Sequence, residues 1–315
     1  MEYAHYRQVD AAVDKLYAQG KCEEAITLLQ AALAQFPEYL FDTLWYQAFL
    51  YCETGQYEKA YTVIEALIQK GYFCPLDWRG LDPLREAEGF ALLQKENERL
   101  KALAQSQAKM EHAVYLPEGY DADQSYPLFI VLHGDGGGGN LEQFPWYWPP
   151  EAVTRLGFVL VYVQSSQVLY SRNFGWLPNP SIARRDVKDC YDVVESQYAI
   201  DPGRIIIGGF SGGAIAALEV TLADVLPVRG FICQSAELKP ESFTDEAVRW
   251  AAQRGVRGVL MEGEKVLPVQ NEQEMMQAFQ DAGLPYQFYV NPGVGHVVPE
   301  ELAEKLQQGV DFIEK

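Results

Sequence analysis

The chain has 315 residues, of which 48% are hydrophobic, and its 25 basic and 44 acidic side chains give a formal net charge of −19. This is enough apolar material for one large folded domain or two modest ones. The negative charge argues against nucleic acid and anionic membranes as partners and favours neutral or cationic ones. Solubility explains it better than an acidic recognition surface does.

The beginning of the chain, MEYAHYRQVDAAVDK, has neither the basic nor the apolar region of a secretion signal. No apolar run in the sequence approaches the length of a membrane-spanning helix. The five cysteines are scattered without a CxxC pair, so we expect reduced thiols that fill apolar space. These patterns predict a cytoplasmic protein without a membrane span.

Residues 1–108 show helical periodicity and an internal repeat. GKCEEAITLLQAAL and GQYEKAYTVIEALI superpose when Gly20 is aligned with Gly55, which resembles the tetratricopeptide repeat with its period of about 34 residues. Pro83 is expected to open a long amphipathic helix that leads into the next domain. We predict a helical domain over 1–108 that serves either as a packing or capping element or as a groove for a protein partner.

From residue 110 onward, short apolar runs alternate with helical patterns. This alternation predicts an α/β domain over 109–315, with a mostly parallel sheet covered by helices on both faces. The chemistry of such sheets gathers at the carboxyl ends of the strands. The expected strands are 112–116, 127–133, 157–163, 204–210, 228–233, 256–262 and 286–290, and the clearest expected helices are 181–199, 212–225, 268–282 and 299–313.

The glycine-rich loop HGDGGGGN, 133–140, contains a GxGxxG pattern that calls for a test of dinucleotide binding. The surrounding sequence does not suit a dinucleotide site. Three prolines interrupt the helix that would face the pyrophosphate, and Gln164 stands where an acidic residue should bind the ribose. The second loop, GGFSGGA, lacks the lysine of a phosphate-binding loop. Nucleotide binding is therefore disfavoured at both loops.

The second loop fits another chemistry, since residues 209–213 read GxSxG between a strand and a helix. Small residues on both sides of Ser211 allow a tight turn that exposes its hydroxyl as a nucleophile. The N–H of Gly212, at the start of the helix, would face the oxygen that becomes negative during acyl transfer. The N–H of Asp135, in the first glycine-rich loop, is the candidate for a second donor.

A serine nucleophile needs a base, and the chain has four histidines. His5 lies in the helical region and His112 begins the first strand. His133 is interpreted as structural, with its ring bonded to loop backbone. His296, in the loop NPGVGHVVPEEL after the last strand, is the predicted base, because its place after the serine suits this chemistry.

These motifs resemble the serine esterases of the α/β-hydrolase fold, in particular small carboxylesterases, feruloyl esterases and depolymerase-like members. The resemblance covers residues 112–313 and rests on HGDGG, GFSGG and the late GVGH. It implies hydrolysis of a carboxylic ester or related acyl bond in a small-molecule substrate, with no metal and no cofactor. In this family an aspartate usually follows the seventh strand, but the corresponding position here is Val266.

The acid that would orient His296 therefore has to be sought elsewhere. Glu264 and Glu262 follow or end the seventh strand, and Glu237 follows the sixth. Glu264 is preferred because it lies nearest the usual acid position and its extra methylene extends its reach. A dyad of Ser211 and His296 alone is the remaining possibility.

Aromatic residues are dense on the loops that should border this site. Trp146, Trp148 and Trp176 are candidates for contact with substrate, with simple loop packing as the alternative. The main functional prediction is a serine esterase. Two alternatives stay open, a serine peptidase of the same fold and a catalytically decayed adaptor that binds a partner through the helical repeats, which the valine at 266 favours.

Overall fold

A computed structural model describes residues 3–136, 138–299 and 301–315. Gly137 in the first glycine-rich loop and Glu300 in the last expected helix lie outside the described residues. The chain divides into two units. One consists of Met1–Gln107 with Leu169–Ser171, and the other of Ala108–Val168 with Arg172–Lys315.

The first unit is helical, and its repeated glycines lie at equivalent turns. Gly20 and Gly55 both have φ +73°, a left-handed conformation that glycine adopts without strain, and each follows the first helix of a pair. Ala25 and Ala60 are fully buried in the second helix of each pair. The helices are α1 (Tyr6–Ala18), α2 (Cys22–Gln35), α3 (Leu40–Glu53), α4 (Tyr57–Gln69) and α5 (Phe90–Gln107), with 3₁₀ helices at Pro37–Tyr39 and Arg79–Glu86.

The expected helix start at Pro83 is wrong, because this proline lies inside the 3₁₀ helix Arg79–Glu86. Ala87 follows in an extended conformation and Gly89 has φ +87°, so the helical backbone is interrupted before α5 begins at Phe90. The amphipathic pattern belongs to α5 alone.

The helical unit also contains a short segment from later in the chain, Leu169–Ser171. The Ser171 N–H donates to the carbonyl of Phe73 at 2.9 Å, and the Phe73 N–H donates to Ser171 Oγ at 2.7 Å. The ring of Tyr170 lies 6.1 Å from that of Phe41 and 6.2 Å from that of Trp45. This segment is thus bound by backbone hydrogen bonds and by aromatic contacts.

The second unit is built on a seven-stranded sheet with the order β1-β3-β2-β6-β7-β8-β9. The first strand is antiparallel to β3, and the other neighbours are parallel. All seven expected strands are present. The strands are β1 (Glu111–Tyr115), β2 (Tyr126–Leu132), β3 (Val159–Gln164), β6 (Ile200–Phe210), β7 (Gly230–Gln234), β8 (Arg257–Gly263) and β9 (Tyr286–Asn291), and a separate pair is formed by β4 (Val168–Tyr170) and β5 (Asn173–Phe174).

Helices cover both faces of this sheet, as expected for a parallel arrangement. In the central strand β6, Ile205 and Ile207 pack into the core on one face and Ile206 into the core on the other. The first face is covered by α8 (Pro180–Gln197), α9 (Gly212–Leu222), α10 (Asp245–Gln253) and α11 (Gln270–Ala282), and the second by α6 (Phe144–Tyr147), α7 (Glu151–Thr154) and α12 (Leu302–Ile313).

Candidate active site

Ser211 occupies the turn between the carboxyl end of β6 and the first residue of α9. Its backbone has φ 53° and ψ −120°, a strained conformation for a residue other than glycine. A Cβ atom on Gly209 would lie 2.5 Å from the carbonyl oxygen of Leu132, and one on Gly213 would lie 2.2 Å from the same oxygen. Glycine at both positions therefore allows β2 and the turn to approach closely.

The structure brings Ser211 and His296 together across a long sequence separation. Ser211 Oγ lies 3.0 Å from His296 Nε2, and His296 Nδ1 lies 2.5 Å from Glu237 Oε1. All three side chains lie at the carboxyl edge of the sheet, where β6, β7 and β9 end. The arrangement has the connectivity of nucleophile, base and orienting acid in serine hydrolases.

The preference for Glu264 as the orienting acid has to be corrected, since the imidazole contacts Glu237 instead. The exposed carboxylate of Glu264 accepts the N–H of Gly293 at 2.7 Å, away from the ring. Its backbone N–H donates to the carbonyl of Asn291 at 3.0 Å, which turns the segment along the loop before His296. Glu237 reaches the ring because β7, which precedes it, lies between β6 and β8.

Two residues that the sequence reasoning missed hold the loop of His296. The Gln234 amide Nε2 donates to the carbonyl of Val297 at 2.9 Å. A Cβ atom on Gly263 would lie 2.3 Å from the carbonyl oxygen of Gly295, so only glycine lets this loop approach the end of β8. The signals available in the sequence were a glutamine at the end of β7, Gln234, and a glycine at the end of β8, Gly263.

A group of buried carboxylates lies behind Glu237. Glu262 Oε1 accepts Ser235 Oγ–H at 2.8 Å and the Gly263 N–H at 2.7 Å, and burial raises the pKa of Glu262. Burial, aided by the charges of Glu262 and Glu237, raises the pKa of Glu272 to about 8. Neither Glu272 oxygen has a hydrogen-bond partner among the described residues. We infer that Glu272 is neutral at pH 7.

The two residues expected to stabilise the oxyanion are neighbours. A Cβ atom on Gly212 would lie 2.2 Å from Asp135 Oδ1, so the carboxylate packs directly against the start of α9. The Asp135 carboxylate accepts the N–H of Trp176 at 2.8 Å and that of Leu177 at 3.2 Å. Burial raises its pKa to about 6, although these hydrogen bonds act in the opposite direction. The side chain thus ties the two glycine-rich turns to the 176–177 segment.

His133 has the backbone contacts expected of it. Its Nδ1 lies 2.8 Å from the carbonyl oxygen of Gly134, and its Nε2 accepts the N–H of Ser165 at 3.2 Å. Burial lowers its pKa to about 4, so the ring is neutral at pH 7. This histidine links the first glycine-rich loop to the end of β3.

The three candidate tryptophans differ in their surroundings. Trp148 is fully buried in the core against Phe129, which corrects its assignment to a substrate surface. Trp176 donates its indole N–H to the carbonyl of His133 at 2.9 Å and lines a pocket. Trp146 borders neither pocket described below.

Two pockets lie beside the elements that carry Ser211 and His296, and only the second has His296 in its wall. The first has a volume of about 210 Å³ and lies beside α8 and α9, and the second has about 170 Å³ and includes His296 in its wall. The first is lined mainly by Trp176, Leu177, Ala183, Ile215, Ala216 and Leu238, and the second mainly by Phe144, Tyr147, Phe210, His296, Val297 and Val298.

Comparison with protein families agrees with both resemblances noted in the sequence. Residues 185–315 match the family described as phospholipase/carboxylesterase, and residues 16–81 match the tetratricopeptide repeat. These two matches confirm the predicted resemblance to an α/β-hydrolase esterase with an N-terminal tetratricopeptide-like region. The first match supports ester hydrolysis as the class of reaction.

Solved structures show the same fold at low sequence identity. An uncharacterized protein from Bacillus cereus ATCC 10987 is 24% identical with a TM-score of 0.55, and the alignment covers 98% of this chain and 99% of that one. Esterase PE8 is 18% identical with a TM-score of 0.51, over 65% of this chain and 99% of its own. A dienelactone hydrolase-like promiscuous phosphotriesterase from metagenomic libraries is 14% identical with a TM-score of 0.52, over 67% and 94%. The predicted α/β-hydrolase fold class is confirmed.

Three further findings concern the chain as a whole. No curated protein matches it. Within the described ranges, no helix is both long and apolar enough to cross a membrane. The same ranges contain no group of three or more histidine, cysteine, aspartate or glutamate side chains placed to hold a metal ion.

Proposed function

We propose that this protein is a serine hydrolase that cleaves a carboxylic ester through an acyl-enzyme intermediate. The observation that carries the proposal is the hydrogen-bonded series of Ser211, His296 and Glu237 at the carboxyl edge of the sheet. The family match over 185–315 supports the same class of reaction. A cytoplasmic location stays a prediction from the sequence.

In the first half-reaction Ser211 Oγ attacks the ester carbonyl carbon while its proton passes to His296 Nε2. Glu237 holds the Nδ1 side of the ring and stabilises the imidazolium that forms. Backbone N–H groups of Gly212 and Asp135 donate to the oxyanion. When the tetrahedral intermediate collapses, the bond to the alcohol oxygen breaks and that oxygen takes the proton from Nε2.

In the second half-reaction water replaces the alcohol. His296 Nε2 takes a proton from the water as its oxygen attacks the acyl carbon of the Ser211 ester. Collapse of the second tetrahedral intermediate releases the carboxylic acid, and the proton on Nε2 returns to Ser211 Oγ. The cycle uses side chains, backbone and water alone.

The adaptor alternative loses its main argument. It was favoured by Val266 at the usual acid position, but the 2.5 Å contact of Glu237 Oε1 with His296 Nδ1 supports an orienting acid from another strand. The peptidase alternative differs in the bond that is cleaved, and turnover of peptides against esters separates the two. A protein partner of the helical unit remains a separate proposal, supported by the repeat match over 16–81.

The test is labelling by a fluorophosphonate probe, combined with turnover of p-nitrophenyl esters. The wild-type protein should be labelled at Ser211 and should hydrolyse at least one ester of the panel. Ser211→Ala should lose both properties and keep its fold, because a methyl group fits the turn as well as the hydroxymethyl group does. Undiminished ester turnover in that variant would refute the mechanism.

A further inference from the structure

The first and second pockets lie on opposite faces of the sheet. Ala183, Ile215 and Ala216 of the first pocket belong to the core on the α8 and α9 side. Phe144 of the second pocket belongs to the other core, and Val298 packs against it. Ser211 lies at the sheet edge between these two faces. An ester bound at its hydroxyl can therefore extend its acyl group towards one face and its alcohol group towards the other.

Three lining residues of the first pocket are neighbours of residues proposed for catalysis. The Ile215 N–H donates to the carbonyl of Ser211 at 3.1 Å, which places Ile215 one helical turn from the nucleophile. Leu177 is bound through its N–H to the Asp135 carboxylate, beside Gly212. Leu238 directly follows Glu237 in the chain. The pocket therefore begins within one helical turn of Ser211.

The direction of proton transfer decides which pocket receives the acyl group of the ester and which receives the alcohol group. The alcohol oxygen must take its proton from His296 Nε2, so the alcohol has to lie on the side of the imidazole. His296 forms part of the wall of the second pocket. The acyl chain, bonded to the carbonyl carbon from the other side, is directed towards the first pocket.

The charged side chains in the wall of the first pocket, Glu219, Lys239 and Glu241, each form an ion pair, and Glu241 lies 3.8 Å from the Arg184 guanidinium. Glu219 forms an ion pair with Arg184 through one oxygen and accepts the Ser242 N–H through the other at 2.8 Å. Lys239 is paired with Glu274. Each charged side chain of the wall is thus engaged with a protein partner, so the wall suits an uncharged ligand better than a charged one.

The mouth of the pocket exposes apolar surface. Leu177 is 39% exposed and Leu238 is 50% exposed, although both are large aliphatic side chains. Burial of such surface against a hydrocarbon chain is favourable by the hydrophobic effect. The volume of about 210 Å³ is below the usual range for sites that hold drug-sized ligands, which points to a short chain.

We propose that the pocket of Trp176, Leu177, Ala183, Ile215, Ala216 and Leu238 receives the acyl chain of an uncharged ester and restricts it to short and medium lengths. The pocket beside His296 then receives the alcohol. This inference rests on the proposed function of Ser211 and adds the substrate class.

The experiment compares two ester series on the full-length protein. One series varies the acyl chain of p-nitrophenyl esters from acetyl to dodecanoyl, and the other varies the alcohol of acetate esters. Ala216→Leu fills the first pocket from inside, and Leu238→Trp narrows its mouth from an exposed position that does not endanger folding. Tyr147→Ala enlarges the second pocket. Leu116→Trp, at an exposed site away from both pockets, is the matched control.

We expect wild-type kcat/KM to peak at a short or medium acyl chain. In both first-pocket variants the peak should move to shorter chains, with a loss of about fourfold for each methylene that no longer fits. Their order of preference among alcohols should stay unchanged. Tyr147→Ala should change the alcohol series alone, and the control should match wild type in both series.

Three results would overturn the inference. An unchanged acyl preference in both first-pocket variants, with Ser211 still labelled by fluorophosphonate, rejects the pocket and leaves the proposed function intact. A shift in the alcohol series with those same variants reverses the assignment of the pockets. Absence of labelling in the wild type rejects the proposed function, and the acyl pocket with it.

Discussion

Glu237 is the residue on which the proposed mechanism makes its sharpest prediction. Its carboxylate lies 2.5 Å from His296 Nδ1, whereas the carboxylate of Glu264 accepts the backbone N–H of Gly293. Glu237→Gln should lower kcat by about 10⁴ with a near-normal Tm, because an amide no longer stabilises the imidazolium. Glu264→Gln, a matched change at an exposed glutamate, should remain within a few-fold of wild type.

Steady-state kinetics on p-nitrophenyl esters measures both variants. Similar activity in Glu237→Gln and wild type would mean that the serine and histidine work as a dyad. A large loss in Glu264→Gln alone would restore the preference drawn from the sequence.

Glu272 carries a prediction about stability. Folding raises its pKa to about 8 from an ordinary value near 4.5, chiefly through burial. The folded chain therefore holds a proton that the unfolded chain has released, so the free energy of unfolding should fall as pH rises from 5 to 8, by roughly 3 kcal/mol. Glu262, Glu237 and Cys233 are the titratable groups that face this carboxyl.

Urea denaturation at several pH values measures this effect. Glu272→Gln should show a weaker fall in stability between pH 5 and pH 8 and should be more stable than wild type at pH 8. Glu264→Gln serves as the control and should keep the wild-type slope. Parallel slopes for wild type and Glu272→Gln would show that Glu272 is ionised in the folded protein.

At this scale the sequence predicts the pairing of Ser211 with His296, which lie 3.0 Å apart, and their catalytic roles stay a proposal. Ser211 was identified because strand, glycines and helix define its turn, and His296 because three other histidines had less suitable places. The sequence favours Glu264 over Glu237, because distance along the chain from a strand end does not show where a side chain points. Trp148 was misassigned for a similar reason, since an aromatic residue on a loop can turn either to a pocket or to the core.

At the scale of helices and strands, the sequence predicts the structure better than it predicts individual side-chain contacts. The strands of the sheet are apolar on both faces, so each appears in the sequence as a continuous run, such as that of β3. Pro83 misled because proline suits the first turn of an α-helix and a 3₁₀ helix alike. Helix α10 was missed, since its nine residues bury only Val248 and Ala251 and leave a short apolar pattern.

The start of α10 offers a test of local structure. Thr244 Oγ1 accepts the N–H of Ala247 at 3.1 Å and so caps the helix. Thr244→Ala should lower the free energy of unfolding by about 1 kcal/mol, with ester turnover unchanged. Thr244→Ser retains the hydroxyl and should stay close to wild type in urea denaturation. An equal loss in both variants would assign the effect to the methyl group.

At the scale of the whole molecule, the residues proposed for catalysis all belong to the second unit. A fragment of residues 109–315 should therefore fold, and fluorophosphonate should label its Ser211. Its Tm should be lower than that of the full chain, because Tyr170 and Ser171 lose their partners Phe41, Trp45 and Phe73. Differential scanning calorimetry and probe labelling measure the two properties. A folded but unlabelled fragment would show that the helical unit contributes to the site.

The place of Leu169–Ser171 also bears on how such a gene can change. The chain passes between its two units after Gln107, after Val168 and after Ser171. A recombination event at a single junction near residue 108 would exchange the repeats but leave three residues downstream without the partners they were selected to fit. We expect the two parts to be inherited together, and replacements of Tyr170 in descendants to be accompanied by compensating replacements at Phe41 or Trp45.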